Sequence, residues 1–278
     1  MLNLLQTIDR RILYILIVLV IIIPLITRPN IHPKVITPEV KNAYAVLNTI
    51  PKDKIVFIST VWSAGTLGEN GPQTDAIVRH LLRNGTKFVM VSFDVAGSEL
   101  TYQIAENASK EMGKTYGKDW VHLGYKVPQL QLILAGMAKD FQKVYSTDRF
   151  KTKLSKIEVT KNVKTYKDVG AVIDITPSST IEYWIAYFCG PRNVPLVYCP
   201  TAVMAAEAYP YLDSKQINGM LNGVIGAVQY ETLIGRGNDQ TDAAATALAL
   251  SSAHIFIIVL IILGNAGYFL SRSKKVNK

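Results

Sequence analysis

Residues 54–60, KIVFIST, then VWSAGTLGEN at 61–70 and FVMVSF at 88–93, decide the fold. Both apolar runs are rich in β-branched and aromatic side chains and do not alternate, as strands buried on both faces require. Between them, residues 72–84 repeat Ile77, Val78, Leu81 and Leu82 at helical spacing. Gly85 stands where the left-handed residue after a helix belongs. Strand, loop, helix and strand make one βαβ unit.

The alternation continues on both sides. A short helix is expected over 39–47, a helix from Ser98 or Glu99 to 114, and a strand over 120–123. An amphipathic helix over 128–145 follows, with Pro128 in its first turn. A strand over 169–175, a helix over 178–188, a strand over 194–198 and a helical region over 203–233 complete the series. Repeated strand and helix with right-handed crossovers predict an α/β fold. The expectation is a Rossmann-like three-layer domain with a mostly parallel sheet, occupying residues 54–239. The lysine-rich stretch 147–167 interrupts the pattern. It reads as a solvated excursion or an edge hairpin, its charges facing solvent.

The chain ends are of another kind. Residues 12–26, ILYILIVLVIIIPLI, carry no charge and follow Arg10 and Arg11. The span predicted is 12–27, after a cytoplasmic N-terminus of 1–11. LITRPNIHP lacks the small-x-small pattern that signal cleavage needs, so the reading is a retained anchor. Prolines 29, 33 and 38 make 28–53 a spacer with a short helix; His32 falls within it. A second span is expected at 249–270, entered through a juxtamembrane helix over 240–248 and followed by the basic tail 271–278. Arg272, Lys274, Lys275 and Lys278 mark that tail as cytoplasmic, and Arg10 and Arg11 do the same for the other end. The sequence therefore predicts two transmembrane helices flanking an extracytoplasmic domain.

The formal charge of +9 is partly a product of these flanks. Without them the middle of the chain carries 24 basic against 20 acidic groups, a balance ordinary for a domain, which argues against nucleic acid as a partner. Cys189 and Cys199, ten residues apart, match no zinc spacing. They read as two buried thiols, with a disulfide as the alternative. No metal site or cofactor class is indicated.

In an open parallel sheet, ligands bind beyond the carboxyl ends of the strands. That places Ser63, Thr66 and Glu69 after the first strand, Asp94 and Ser98 after the second, Ser178 and Ser179 after the fourth, and Thr201 after the fifth. SAGTLGEN matches neither the Walker nor the GxGxxG template. TPSST reads as helix capping, with anion binding as the alternative. Ser63 lacks the GxSxG elbow. Glu69, Asp94 and Glu99 would form a carboxylate cluster if their loops converged. None of the four histidines is placed as a general base.

Small residues at helical spacing, Gly219, Gly223 and Gly226 in one stretch and Gly264 with Asn265 in the last span, suggest close helix packing. The functional expectation is a membrane-anchored α/β binding or assembly subunit. Its partners would be the bilayer and a protein, a second copy or a small ligand outside the cytoplasm. A membrane-surface hydrolase or transferase using the carboxyl edge is the alternative.

Overall fold

The computed structural model describes residues 9–30, 33–126 and 129–276, the last seven by backbone alone. The chain forms two compact units, Met1–Ile31 with Asp239–Lys278, and His32–Asn238. His32, Pro128 and Lys278, which the sequence reading uses, lie outside the described residues.

The first unit holds α1 (Arg10–Thr27) and α11 (Asp242–Val276), which pack on each other. Two segments here, Arg10–Thr27 and Asp242–Phe269, are long and apolar enough to cross a membrane. Asp9 caps α1 by accepting from Arg11 N at 2.9 Å, and Arg28 ends it in the left-handed region at φ 42°. Arg28 pairs with Asp242 at 2.9 Å, an exposed contact that contributes well under about 1 kcal/mol. The juxtamembrane helix and the span expected after residue 240 run on as one uninterrupted helix, as their lack of any proline or glycine break before Gly264 implies. Gly264 has nothing within 4 Å of a built Cβ, and Asn265 is exposed, so neither packs within this unit.

In the second unit, α2 (Pro38–Asn48) precedes β1 (Ile55–Thr60). Then come α3 (Leu67–Asn84), β2 (Phe88–Ser92), α4 (Val95–Glu111) and β3 (Trp120–Tyr125). Helices α5 (Leu130–Lys139) and α6 (Phe141–Val144) lead through an irregular stretch to β4 (Val169–Thr176). Next are α7 (Thr180–Trp184), which continues as a π-helical turn over Ile185–Cys189, and β5 (Leu196–Pro200). Short helices α8 (Ala202–Ala205) and α9 (Tyr209–Asp213), strand β6 (Gly219–Met220) and α10 (Gly223–Leu233) finish the unit.

The six strands form one sheet in the order β3-β2-β1-β4-β5-β6, and every pairing is parallel. The order reverses between β1 and β4. Alternate side chains feed two cores. Val56, Ile58, Met90, Ile173 and Val197 pack under α2, α3, α4 and α10. Phe57, Val89, Val91, Val172 and Leu196 pack under α5, α6 and α7. With both faces covered, the strands are apolar at most positions.

Several elements differ from the sequence reading. Helix α3 starts at Leu67 rather than Pro72, so the loop after β1 is short. Pro72 cannot donate to the carbonyl of Gly68, but Gly68 is exposed, so the helical bond is lost where it costs least. The helix expected over 128–145 breaks at Asp140, whose side chain caps α6 through Lys143 N. The helical region over 203–233 instead contains β6. The three glycines therefore do not form one helical stripe: Gly219 is in β6, Gly223 begins α10 at φ +53°, and Gly226 lies within α10. A Cβ on Gly219 would lie 2.3 Å from Ala43 N, so close backbone approach to α2 is what requires glycine there.

The lysine-rich excursion forms no hairpin; a single antiparallel bridge joins Thr147 and Lys153. Its lysines are exposed, while Leu154, Ile157, Val159 and Val163 enter the core. Arg149 N donates to His122 O at 3.0 Å, so this loop covers the outer edge of β3. Cys189 and Cys199 are free, buried thiols in the cores on opposite faces of the sheet, which prevents their pairing.

Candidate functional site

The carboxyl ends of the strands and the loops after them are the place to search. The carboxylates expected there, Glu69 and Asp94, are engaged in holding the loops. Glu69 Oε2 accepts from Ala202 N at 2.8 Å, tying the first turn of α3 to the start of α8. Four residues on, fully buried Gln73 donates to Pro200 O and Leu221 O at 2.8 Å each and to Gly223 O at 3.2 Å. These contacts clamp the ends of β5 and β6.

Asp94 is the cap of α4 and accepts from Gly97 N at 2.7 Å. Gly97 is needed there because a Cβ would lie 1.7 Å from Trp62 O. Glu99 takes Arg149 at 2.6 Å, and that guanidinium holds its carboxyl below the usual range. Glu69, Asp94 and Glu99 thus have three separate partners rather than one shared site. Among the described residues, no three His, Cys, Asp or Glu side chains gather as metal ligands.

Of the hydroxyls, only that of Ser178 has a side-chain partner among the described residues. Ser63 precedes the 3-10 turn Ala64–Thr66, and the Thr66 hydroxyl is buried with no partner among the described residues. Ser98 is buried in the first turn of α4, and Thr201 precedes α8 without a side-chain capping bond. Ser178 Oγ lies 2.8 Å from Thr176 Oγ1. Ser179 is exposed and makes no capping bond to α7, contrary to the capping expected of it.

A cleft of about 160 Å³ opens on this edge between the segments that follow β4 and β5. Of the expected residues only Ser179 lines it, together with Glu182, Tyr198, Met204, Glu207 and Tyr211. Tyr211 OH donates to Glu182 Oε1 at 3.2 Å, and burial, then that carboxylate, push the phenol up. Tyr198 OH donates to Ser178 O at 3.2 Å.

Beneath the edge, Asp174 on β4 is fully buried and is the register neighbour of Ser59 on β1. Burial pushes its carboxyl up to about 7, against the opposing pull of Thr180, Ser59 and Trp184. Thr180 Oγ1 donates to Asp174 Oδ2 at 2.8 Å. Ser59 Oγ, Trp184 Nε1 and Asp174 Oδ1 fall outside hydrogen-bond geometry. In the sequence, one acid inside the apolar run VGAVIDI is the signal for this group.

The two interior histidines are structural. His80 stacks on Tyr44 and contacts Tyr230 OH through Nδ1, and burial lowers it to about 4. His122 Nδ1 accepts from Gly124 N at 2.9 Å, leaving the proton on Nε2 toward Thr101, and burial lowers it to about 3. Around the edge, Leu67, Val95, Tyr125 and Val203 stand exposed on the segments at the ends of four strands, Val203 at 85%.

Comparison with protein-family models, curated proteins and solved structures finds no match to this chain.

Proposed function

We propose that this protein is a membrane-anchored binding subunit whose Rossmann-like domain receives its target on the carboxyl edge of the sheet. The reading has α1 and α11 as membrane spans, both termini in the cytoplasm and the α/β domain outside it. Arg10 and Arg11 at the start of α1, and Lys274 and Lys275 after the apolar part of α11, support that orientation. Exposed Gly264 and Asn265 are surfaces through which α11 would meet another helix in the bilayer.

The observation that carries the reading is the carboxyl edge itself. Exposed Leu67, Val95, Tyr125 and Val203 share it with the cleft, while its carboxylates at 69 and 94 hold backbone N–H groups. Such an edge suits contact better than proton transfer.

Mild detergent extraction with chemical cross-linking tests this. Wild-type protein is expected to retain a protein partner, a second copy or a small ligand, and Val95→Glu with Val203→Glu to lose it. A strictly monomeric, ligand-free wild type would overturn the binding role. Cleavage of the domain in inside-out vesicles, but not in intact cells, would overturn the orientation.

A further inference from the structure

We propose that the amino edge of the sheet is a second interaction surface, which lays the domain on anionic phospholipid headgroups of the bilayer that holds α1 and α11. This rests on the reading of those helices as membrane spans, and not on the use made of the carboxyl edge.

The sheet order puts β3, β2, β1 and β4 side by side. Each is entered within two residues of a lysine: Lys118, Lys87, Lys54 and Lys167. With neighbouring strands about 4.8 Å apart, these lysines form a row along one edge. Lys161 joins them. Glu158 pairs with Lys87 at 3.1 Å, and its carboxyl is held below the usual range by Lys87 first, then by Lys118 and Lys161. Against the lysines stand Asp53, Asp119, Glu158 and Asp168, of which the last three are engaged. Asp119 accepts from Thr115 N at 2.8 Å, and Asp168 from Lys164 N and Thr165 N at 2.8 and 2.9 Å. Lys118, Lys161 and Lys167 are exposed, and their ammonium groups have no partner among the described residues.

The carboxyl edge has the opposite sign. The segments that directly follow the strands bring Glu69, Asp94, Glu99, Glu182 and Glu207. Their lysine, Lys126, is half-buried and donates to Val144 O. Positive charge thus gathers at one end of the strands and negative charge at the other, which the overall balance conceals.

The path of the chain favours a bilayer over other polyanions. Arg83, in the last turn of α3, donates to Ile234 O at the end of α10, so the connection to α11 starts from the amino edge. A tether at that edge keeps the lysines at high effective concentration near the surface in which α11 is anchored. Each lysine close to an anionic surface favours the docked state about fivefold. The carboxyl edge is then turned outward, toward its target.

The test uses the full-length protein in lipid nanodiscs. A fluorophore is attached through Asn162→Cys beside Lys161, or through Val203→Cys at the carboxyl edge; the native thiols are buried. In discs containing phosphatidylglycerol, a headgroup nitroxide should quench the label at 162 and spare that at 203. Quenching should weaken at high salt and disappear in phosphatidylcholine discs. Lys118→Gln, Lys161→Gln and Lys167→Gln together should lower the docked-to-free ratio about a hundredfold. Circular dichroism and the melting curve show that each variant is folded.

Equal quenching in phosphatidylcholine, or unchanged quenching in the folded triple variant, would overturn the proposal. Release of the label by a short DNA duplex at equal phosphate concentration would assign the surface to nucleic acid and overturn the lipid. Quenching at 203 instead of 162 would put the other edge on the bilayer, against both readings. Protein held in the discs with the label at 162 unquenched sinks the docking alone, whereas protein recovered outside the discs sinks the anchoring beneath it.

Discussion

Asp174 and Thr180 are joined by a 2.8 Å hydrogen bond from the threonine hydroxyl, which fixes the start of α7 to a carboxyl buried in the middle of the sheet. It is the point where the sheet's strand order reverses, so a change of protonation there acts on β1, β4 and α7 together.

The sign of the pH effect follows from three groups. Asp174 titrates near 7 in the fold and near 4 unfolded, so its contribution falls as pH rises from 4 to 7. His80 and His122 are lowered to about 4 and about 3, so theirs is complete above about 6.5 and is lost as pH falls. Two losses outweigh one gain on the acid side. Stability should peak near pH 7 and fall by about 1.4 kcal/mol per unit between roughly pH 4.5 and 6. Asp174→Asn should about double that slope. Denaturant titrations across pH would show it, and an unchanged slope would refute the assignment.

Gln73→Leu should destabilise the domain by about 2 kcal/mol, because the buried carbonyls of Pro200, Leu221 and Gly223 lose their shared donor. Urea unfolding measures this. A loss under about 0.5 kcal/mol would mean that the clamp on β5 and β6 is dispensable.

Gly219→Ala and Gly264→Ala should separate two kinds of glycine. At 219 the added methyl meets the Ala43 backbone and should cost about 1–3 kcal/mol; at 264 it meets open space within its own unit. Comparable melting shifts for both would argue against the close approach of β6 to α2.

Cys189 and Cys199 should resist alkylation in the native protein and react completely once it is unfolded, without reductant. They lie in different cores, and burial pushes both thiols well above the ordinary range. Intact-mass measurement gives the count of labels; none on the unfolded chain would indicate a disulfide.

Strands β1 to β5 are legible because each is a run of apolar residues that no amphipathic helix would carry. Strand β6 is not, since two residues inside INGMLNGVIG have no periodicity and Gly219 is there for Ala43, which is distant in sequence. Gly85 marks the end of α3 correctly, at φ 65°. Pro72 misplaces the start, because its cost depends on whether Gly68 can reach solvent. Glu69 and Asp94 are correctly placed at the edge, but their partners, Ala202 N and Gly97 N, depend on loop paths that spacing does not encode. The cleft is the least legible feature. Ser179, Glu182, Tyr198 and Tyr211 meet only because β4 and β5 are neighbours, and no local pattern announces that.

The treatment of the sheet's flanks bears on how the protein behaves at high concentration. On one side the 146–153 loop sits over β3 and occupies the His122 carbonyl; on the other, the terminal strand is just Gly219 and Met220. Neither border offers a long ladder of vacant amides on which another chain could grow. Overproduced material should therefore fail through its greasy helices, by micelle-like clumping that detergent reverses, rather than by amyloid-type stacking.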